Sequence, residues 1–492
     1  MRIILSFALL FATPVAAQTP ALPDAAVRQL FEAHAREQHM PGLAYGVVKD
    51  GKLVLTGGIG VRDTATKAPV DADTRFRIAS MSKAFTALAI LLLRDEGKLR
   101  LDDLAEVHVP QMRTWKYPTV DAPRIRVRDL LTHTAGFVDD NPWGDRQQPL
   151  PEAEFTRMLA AGVPFSRVPQ EAMEYSNFGY ATLGRIITNV SGMPYQRFIT
   201  DRLLRPLGMT STGFDVFASP AASRALGYRW EEAKWKREPD MADGAFGAMG
   251  GMETTANDYA RYVAWLLSAW PSRDEAETGP MKRSTMREIV QGSNFATLGE
   301  RRTGLGAGSC LQSVAYGMGW RVISDCALRY VTHTGGYPGY GSVVMLMPEA
   351  GVGVFAFSNR TYGAPVPPTY QALKLLKDAG LAAERPVAMS ARVTAGYAAA
   401  QAIWAAGAVD AQRERLAMNF LMDRSAVGWR AELARLKAAT GACRTDAPIT
   451  PTTAMAGRFS WECDNGRVTG SILLAPTATP QLQELRFAVA PR

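Results

Sequence analysis

Short apolar runs of strand character lie at both ends of the first three quarters of the chain, and helical patterns fill the stretch between them. Residues 42–48 and 53–58 flank an Asp-Gly turn at 50–51, a pattern typical of a β-hairpin. Residues 341–348 and 352–359 predict a second hairpin. Strands therefore enclose a mostly helical middle, which predicts an α/β body with a helical insertion.

The character of the chain changes after residues 18–385, which form the predicted first domain. Residues 391–407 and 410–438 are Ala-rich and predict helices, and short strand-like runs follow Cys443. Residues 390–492 are therefore predicted to form a separate α+β accessory domain. They carry no evident chemical motif, so a packing or substrate-gating role is favoured over an independent binding module.

The first residues predict a secretory signal peptide over residues 1–17. Arg2 precedes an apolar run, and small residues at 15–17 suit cleavage before Gln18. No later segment offers eighteen uninterrupted apolar residues, so no membrane span is predicted. We therefore expect a secreted protein, located in a bacterial periplasm.

Composition narrows the classes of partner. The chain has 492 residues, of which 47% are hydrophobic and 21% charged, as in ordinary soluble proteins. The net charge of +8 is spread without a Lys/Arg block, which argues against nucleic acid. The five His residues form no ligand cluster with carboxylates and no Cys-x-x-Cys occurs, so neither a metal nor another cofactor is predicted. The expected partner is a small-molecule or peptide substrate.

Four cysteines form two close pairs in the sequence. We expect disulfides between Cys310 and Cys326 and between Cys443 and Cys463, which suits an oxidising compartment.

Ser80 and Lys83 lie three residues apart where a helix is about to begin. The following run, residues 84–96, contains no Gly or Pro and stops at Gly97. At this spacing the two side chains share a helix face. A partly neutral Lys83 could therefore take the proton of the Ser80 hydroxyl. Such a pair also arises by chance, so further motifs have to join it.

Two further motifs follow in order, a Tyr-x-Asn at residues 175–177 and a His-Thr-Gly at residues 333–335. With the Ser-x-x-Lys they closely resemble the signature of the penicillin-recognising serine hydrolases, in the class C β-lactamase-related branch. That branch includes class C β-lactamases, DD-peptidases, D-aminopeptidases and several esterases. Further stretches similar to recurrent family segments lie at residues 130–137, 206–209 and 250–255.

The resemblance covers about residues 22–385 and implies a β-lactamase-like α/β (α+β) fold. In this fold an antiparallel sheet is packed by helices, and an all-helical lobe faces it across the active-site cleft. The small C-terminal α+β domain would be an addition to this body.

The resemblance also implies roles for the motif residues. Ser80 would be the acyl acceptor, and backbone N–H groups of Ser80 and Gly336 would form the oxyanion site. Tyr175, a phenol between two cationic groups, would have a lowered pKa and shuttle a proton to the leaving group. Asn177 would bind the substrate amide or orient Lys83; a turn-former with only local hydrogen bonds is the alternative.

His333, with Thr334 and Gly335, is expected to bind substrate. Class C β-lactamases and many DD-peptidases carry Lys at the position of His333, which holds the substrate carboxylate. An imidazole with a pKa of about 6.5 is mostly neutral at pH 7, so this anchoring should be weaker and β-lactam hydrolysis inefficient. His133 lies in a predicted loop and is interpreted as structural.

The sequence therefore predicts an exported serine hydrolase that works through a Ser80 acyl-enzyme. The favoured substrates are small or D-amino-acid-containing peptides or amides, with carboxylesterase as a close alternative and β-lactamase third. A non-catalytic penicillin-recognising binding protein is the alternative of another class. The intact set of Ser80, Lys83 and Tyr175 counts against it.

Overall fold

The computed structural model describes residues 21–273, 275–301, 305–306 and 308–490. The predicted signal peptide, residues 1–17, lies outside the described residues. The α-helices are α1 Asp24–Glu37, α2 Ser82–Asp95, α3 Ala105–His108, α4 Val127–Leu131, α5 Glu152–Ala161, α6 Asn177–Ser191, α7 Tyr195–Ile199, α8 Gly247–Gly250, α9 Ala256–Leu267, α10 Arg283–Ile289, α11 Val366–Asp378, α12 Ala391–Ala406, α13 Phe420–Asp423 and α14 Ala426–Thr440. The strands are β1 Gly42–Lys49, β2 Lys52–Gly60, β3 Phe76–Arg77, β4 Tyr228–Glu231, β5 Lys234–Arg237, β6 Glu253–Thr254, β7 Asn294–Glu300, β8 Leu311–Tyr316, β9 Arg321–Ser324, β10 Arg329–Tyr337, β11 Tyr340–Met347, β12 Val352–Ser358, β13 Thr450–Thr453, β14 Ala456–Cys463, β15 Gly466–Leu474 and β16 Leu482–Ala490.

An eight-stranded antiparallel sheet crosses the main body, in the order β2-β1-β12-β11-β10-β9-β8-β7. Both predicted hairpins are present, and β1 pairs with β12 so that Leu43 lies opposite Ser358. The two ends of the main body therefore meet in one sheet. The predicted fold class, an antiparallel sheet packed by helices with a helical lobe, is confirmed.

Alternate residues of β11 point into two different cores. Val344 and Leu346 pack on the side of α2, whereas Val343 and Met345 pack on the side of α1 and α11. This alternation follows from the two-residue period of a strand, and here both faces are apolar because helices cover both. In α2, every residue from Ser82 to Leu93 is buried. The N-terminal end of α2 is thereby fixed against the sheet.

The C-terminal region, residues 391–490, has a core of its own around Trp461, where α12 and α14 pack with a four-stranded sheet of β13 to β16. Its division from the main body remains a prediction.

The helical stretch expected over residues 410–438 is divided into several elements. The structure has a 3-10 turn, α13 and α14 in this stretch. Two contacts explain the break. Leu416 bridges to Leu482, with the Ala417 N–H donating to the Leu482 carbonyl at 2.8 Å, which draws the chain to the sheet edge. Ser425 then starts a new helix by accepting from the Gly428 N–H at 3.1 Å.

The structure joins Cys310 to Cys326 and Cys443 to Cys463, the pairs expected from the sequence.

Among the described residues, no helix is long and apolar enough to cross a membrane.

Removing the Cys443–Cys463 disulfide should destabilise the C-terminal region. The bridge closes a sequence separation of 20 residues. We expect the Cys443→Ser/Cys463→Ser variant to lose about 3 kcal/mol of unfolding free energy, because the unfolded chain gains conformational freedom. Calorimetry measures the loss, with Cys310→Ser/Cys326→Ser as the control in the main body. Free thiols or crossed pairs in non-reducing peptide maps would contradict the pairing.

Candidate active site

Ser80 lies in a 3-10 turn, Ala79–Met81, that leads directly into α2. Ala79 has a φ of 48°, which is uncommon for a residue with a side chain and costs conformational energy. Contacts on both sides hold this turn. The Ser342 hydroxyl donates to the Ile78 carbonyl at 2.7 Å, and the Ser82 hydroxyl donates to the Ala79 carbonyl at 2.7 Å. The hydroxyl of Ser80 is thereby presented at a fixed place.

Lys83 is fully buried, and its Nζ lies 3.1 Å from Ser80 Oγ. The same Nζ donates to Asn177 Oδ1 at 2.7 Å and to the Met249 carbonyl at 2.7 Å. Burial lowers the pKa of Lys83 to about 7, although the carboxylates of three Asp residues raise it. A neutral amine has two N–H groups, which these two carbonyl oxygens accept. Its lone pair is then free to accept the Ser80 proton.

Asn177 is the first residue of α6 and lies within hydrogen-bond distance of Lys83. Its side chain orients Lys83 through Oδ1, and its Nδ2 donates to Asn141 Oδ1 at 2.8 Å. Asp140 holds the start of α6 by accepting from the N–H groups of Asn177 at 2.7 Å and Phe178 at 2.8 Å. Asp140 was not predicted, because nothing in the spacing of residue 140 marks it as a cap for a helix 37 residues later.

Tyr175 lies beside Lys83 but does not have the expected lowered pKa. Its ring centroid is 4.8 Å from Lys83 Nζ and 4.4 Å from the His133 ring. Burial raises the pKa of Tyr175 well above its usual range, and a hydrogen bond with Ser80 only partly opposes this. The prediction of a phenol ready to ionise between two cations is wrong. One of those cations is absent, since His333 is neutral.

A directional hydrogen-bond chain fixes the protonation of His133 and His333. His333 Nδ1 lies 2.7 Å from the Thr334 carbonyl, so it must carry the proton, and Nε2 must accept from the Tyr316 hydroxyl at 3.1 Å. His133 Nε2 then donates to Tyr316 at 3.2 Å, and His133 Nδ1 accepts from the Ser176 N–H at 3.1 Å. The chain ties the Tyr-x-Asn segment to β10.

His333 therefore does not titrate near pH 6.5 as expected. Burial lowers the pKa of His333 to about 3, with Arg321 and Lys83 contributing in the same direction. Both ring nitrogens are already engaged by Tyr316 and Thr334. We expected a weak, pH-dependent anchor for a carboxylate at His333. The structure has instead a neutral residue that forms part of the cleft wall.

The strand β10 brings Thr334, Gly335 and Gly336 against the Ser80 turn. An added Cβ at Gly335 would lie 2.2 Å from the Ile78 carbonyl oxygen, so only glycine permits this approach. Gly336 follows directly, and its assignment as the second oxyanion donor stays a prediction. The structure thus gathers all the predicted motif residues, Ser80, Lys83, Tyr175, Asn177, His333, Thr334, Gly335 and Gly336, at one cleft.

Arg321 is a further residue near the site that the sequence analysis did not predict. It pairs with Thr332, next to His333, and lines a cavity of about 310 Å³ with Tyr316, Met173 and Gln312. Arg321 lowers the pKa values of both His133 and His333, which shows that it lies close to them. No motif surrounds Arg321 in the sequence, and only strand pairing brings it to the site.

A profile of the Beta-lactamase family matches residues 27–378. The chain belongs to the beta-lactamase family. The predicted family is thus confirmed.

Relatives of this beta-lactamase-family chain come from bacteria and archaea. Protein flp of Staphylococcus aureus is 28% identical over 339 residues, which cover 68% of this chain and 62% of the relative. The chain thus spans about 62% of the length of that curated relative. An octameric penicillin-binding protein homologue from Pyrococcus abyssi is similar with a TM-score of 0.61 and 20% identity, covering 92% of this chain and 96% of that one. A D-alanine carboxypeptidase from Burkholderia cenocepacia has a TM-score of 0.56 and 22% identity, covering 72% and 98%.

Changing Tyr316 to Phe should weaken the link between His133 and His333. The hydroxyl of Tyr316 serves two buried ring nitrogens, and leaving buried polar groups unpaired costs about 1–3 kcal/mol each. We expect Tyr316→Phe to lower the unfolding free energy by about 3 kcal/mol and to slow acylation of the enzyme. Denaturant titration and single-turnover kinetics measure the two effects.

The matched control is Tyr259→Phe. The Tyr259 hydroxyl is buried and has no hydrogen-bond partner among the described residues, so its loss should cost less than about 1 kcal/mol. Equal effects of the two substitutions would show that the Tyr316 hydrogen bonds do not hold the site.

Proposed function

We propose that this protein is an exported peptidase or amidase that works through a Ser80 acyl-enzyme and cleaves small peptides ending in a free carboxylate, including D-amino-acid-containing ones. The observation that carries the proposal is the environment of Lys83. A buried amine with a pKa of about 7 and two fixed acceptors has its lone pair free for the Ser80 hydroxyl. This is the arrangement that a general base for a serine nucleophile requires.

In the proposed acylation, neutral Lys83 takes the proton from Ser80 as Oγ attacks the substrate carbonyl. The negative charge on the carbonyl oxygen is stabilised by the N–H groups of Ser80 and Gly336. The scissile bond then breaks, leaving the acyl group on Ser80. Water releases the acyl group in the second half of the reaction.

Tyr175 has the role of proton donor in this scheme. Because burial keeps its phenol protonated, it can give a proton to the leaving nitrogen. The Lys83 ammonium, 4.8 Å from the Tyr175 ring centroid, returns a proton to the phenolate. In total, Ser80 loses one proton and the leaving group gains one, while Lys83 and Tyr175 return to their starting states.

The positive charge of Arg321, on what we take as the leaving-group side of the cleft, favours a peptide substrate over an ester. His333 is neutral, but the guanidinium group of Arg321 lies beside it. An arginine in a cavity can bind a carboxylate through two parallel hydrogen bonds. The likeness in fold to a D-alanine carboxypeptidase agrees with this substrate class.

Export is supported by the two disulfides and by the signal-like residues 1–17. Carboxylesterase remains the second candidate, because the same nucleophile cleaves esters. A β-lactamase ranks third, because this chain has His333 where class C β-lactamases carry Lys.

The substrate class is tested with one peptide as its free carboxylate and as its C-terminal amide. We expect Arg321→Gln to reduce kcat/KM for the carboxylate at least tenfold more than for the amide, because only the carboxylate loses a charged partner. Arg329→Gln is the control, an exposed arginine on the neighbouring strand β10. A wild-type enzyme that prefers the amide, or hydrolyses p-nitrophenyl esters but no peptide, would favour the esterase.

The acylation rate should depend on the protonation of Lys83. Below pH 7 the amine is protonated and has no lone pair, so the rate should rise with pH and level off above about 7. His333, with a pKa of about 3, should add no second inflection above pH 5. Stopped-flow measurement of fluorophosphonate labelling against pH gives the profile.

Two substitutions check the assignment. Ser80→Ala should abolish the label seen by intact mass. Ser82→Ala should still be labelled, although more slowly, because the Ser82 hydroxyl supports the turn by donating to the Ala79 carbonyl and accepting from the Met252 N–H but is not the nucleophile. Labelling of the Ser80→Ala variant, or an inflection near pH 10 instead of 7, would refute the proposed nucleophile and base.

A further inference from the structure

In the part of the chain that the structure describes, the outer edge of β16 is paired only at its start. β16 is the terminal strand of the C-terminal sheet, whose order is β13-β14-β15-β16. Leu416 bridges to Leu482 in parallel, and the Ala417 N–H donates to the Leu482 carbonyl at 2.8 Å. The chain then leaves this edge as α13, which begins at Phe420. A fifth strand is therefore started beside β16 and is not continued.

The rest of this edge is open. The Asn419 side chain donates to the Gln483 carbonyl at 3.3 Å. From Glu484 onward, the backbone of β16 makes no hydrogen bond to any described segment other than β15. Alternate residues of an edge strand direct their N–H and C=O groups away from the neighbouring strand. These groups can therefore pair with another extended chain.

A groove of about 720 Å³ lies along the open edge. Residues 483–488 of β16 form one wall, and Phe420, Trp429 and Leu436 of α13 and α14 contribute to the other. A stretch of about six residues is the usual length of a strand in a globular protein. The groove therefore has the length of one short strand.

The helical wall offers an apolar surface and an unused donor. The rings of Phe420 and Trp429 stack with their centroids 5.2 Å apart. Trp429 is 7% exposed, and its Nε1 has no hydrogen-bond partner among the described residues. A buried N–H group without an acceptor destabilises the folded state. A ligand with apolar groups and a carbonyl oxygen matches both features of this wall.

The charged lining of the groove is more acidic than basic. It consists of three carboxylates and two guanidinium groups, those of Asp423, Glu432, Glu484, Arg424 and Arg486. Glu484 pairs with Arg486, and Glu432 pairs with Arg435 at 2.7 Å. Arg424 lies over the Trp429 ring, 5.0 Å from its centroid. Asp423 is exposed and has no ion pair within the described ranges, so a basic group of a ligand suits this position.

We propose that this groove binds an extended peptide segment that adds a strand to β16, with apolar side chains toward Phe420 and Trp429 and a basic side chain near Asp423. Backbone hydrogen bonds to the open edge supply the affinity, and alternate side chains supply the preference. One carbonyl of the segment accepts from Trp429 Nε1. The C-terminal region then has a binding role, instead of the packing or gating role favoured from its sequence.

A second copy of this chain fits the groove less well than a peptide. If β16 paired with itself about a two-fold axis, the helices of both copies would lie on the same face of the joined sheet. Because α13 and α14 already flank the edge, the two pairs of helices would meet there. None of the lining residues belongs to the Ser80 site, so the proposal does not depend on the proposed function.

Hydrogen–deuterium exchange of the full chain tests the strand addition. The protein carries Ser80→Ala, so that the probe is not cleaved. The probe is the acetylated and amidated peptide Val-Lys-Val-Lys-Val-Lys-Val, and its match has the same side chains but N-methyl groups on alternate backbone nitrogens. We expect the probe to slow exchange of the amides in residues 484–488 by about tenfold or more. The N-methylated peptide lacks the donors and should give no protection at the same concentration.

Two charge substitutions test the place of the basic side chain. Fluorescence polarisation of labelled peptides compares the lysine probe with a peptide that has Glu in place of Lys. Asp423→Lys should lower the affinity for the lysine probe by about threefold or more and remove its advantage over the Glu peptide. Glu414→Lys makes the same change at an exposed residue outside the groove lining, so it should keep that advantage.

Unchanged exchange in β16, or equal protection by the N-methylated peptide, would overturn the strand addition. Protection confined to β10 would show that the probe binds only the Ser80 cleft, and would also overturn it. A dimer in sedimentation velocity, with β16 amides protected in the absence of peptide, would assign the groove to a second copy. Equal loss of affinity in Asp423→Lys and Glu414→Lys would refute the basic position near Asp423.

Discussion

The structure of the site depends on the burial of one amine, Lys83. An ammonium group taken out of water is destabilised, and the protein offsets this with oxygen atoms from three places: the Ser80 turn, the start of α6 and the Met249 carbonyl of α8. Any displacement of these elements would leave the amine without partners. The contacts that pack the helical lobe against α2 are also the contacts that set the protonation of Lys83. A change in this packing would therefore change the pKa of Lys83.

The motifs and hairpins could be predicted because each is local in sequence. The spacing of Ser80 and Lys83 places them on one turn, and the Asp-Gly turn at residues 50–51 marks its hairpin without reference to the rest of the chain. The role of Gly335 likewise follows from its place in a short motif. The pairs of cysteines were visible for the same reason, since each pair closes a short loop.

The errors and omissions concern properties set by distant residues. The pKa values of Tyr175 and His333 depend on burial, and the tautomers depend on Tyr316, which no motif connects with either residue. Arg321 reaches the cleft through strand pairing. The division of the helical stretch over 410–438 has the same origin, because the contact between Leu416 and Leu482 overrides the helical preference of the Ala-rich residues.

The pairing of β1 with β12 has a consequence for the order in which the molecule can be assembled. Asn359 accepts from the Gly42 N–H at 2.6 Å across 317 residues, and Ser342 holds the turn before Ser80. Contacts so distant in sequence form late in folding, after much of the chain is available. A growing chain that has not yet supplied β11 and β12 lacks the Ser342 hydroxyl that holds the turn before Ser80. The Ser80 turn therefore gains this support only when the second half of the sheet is complete.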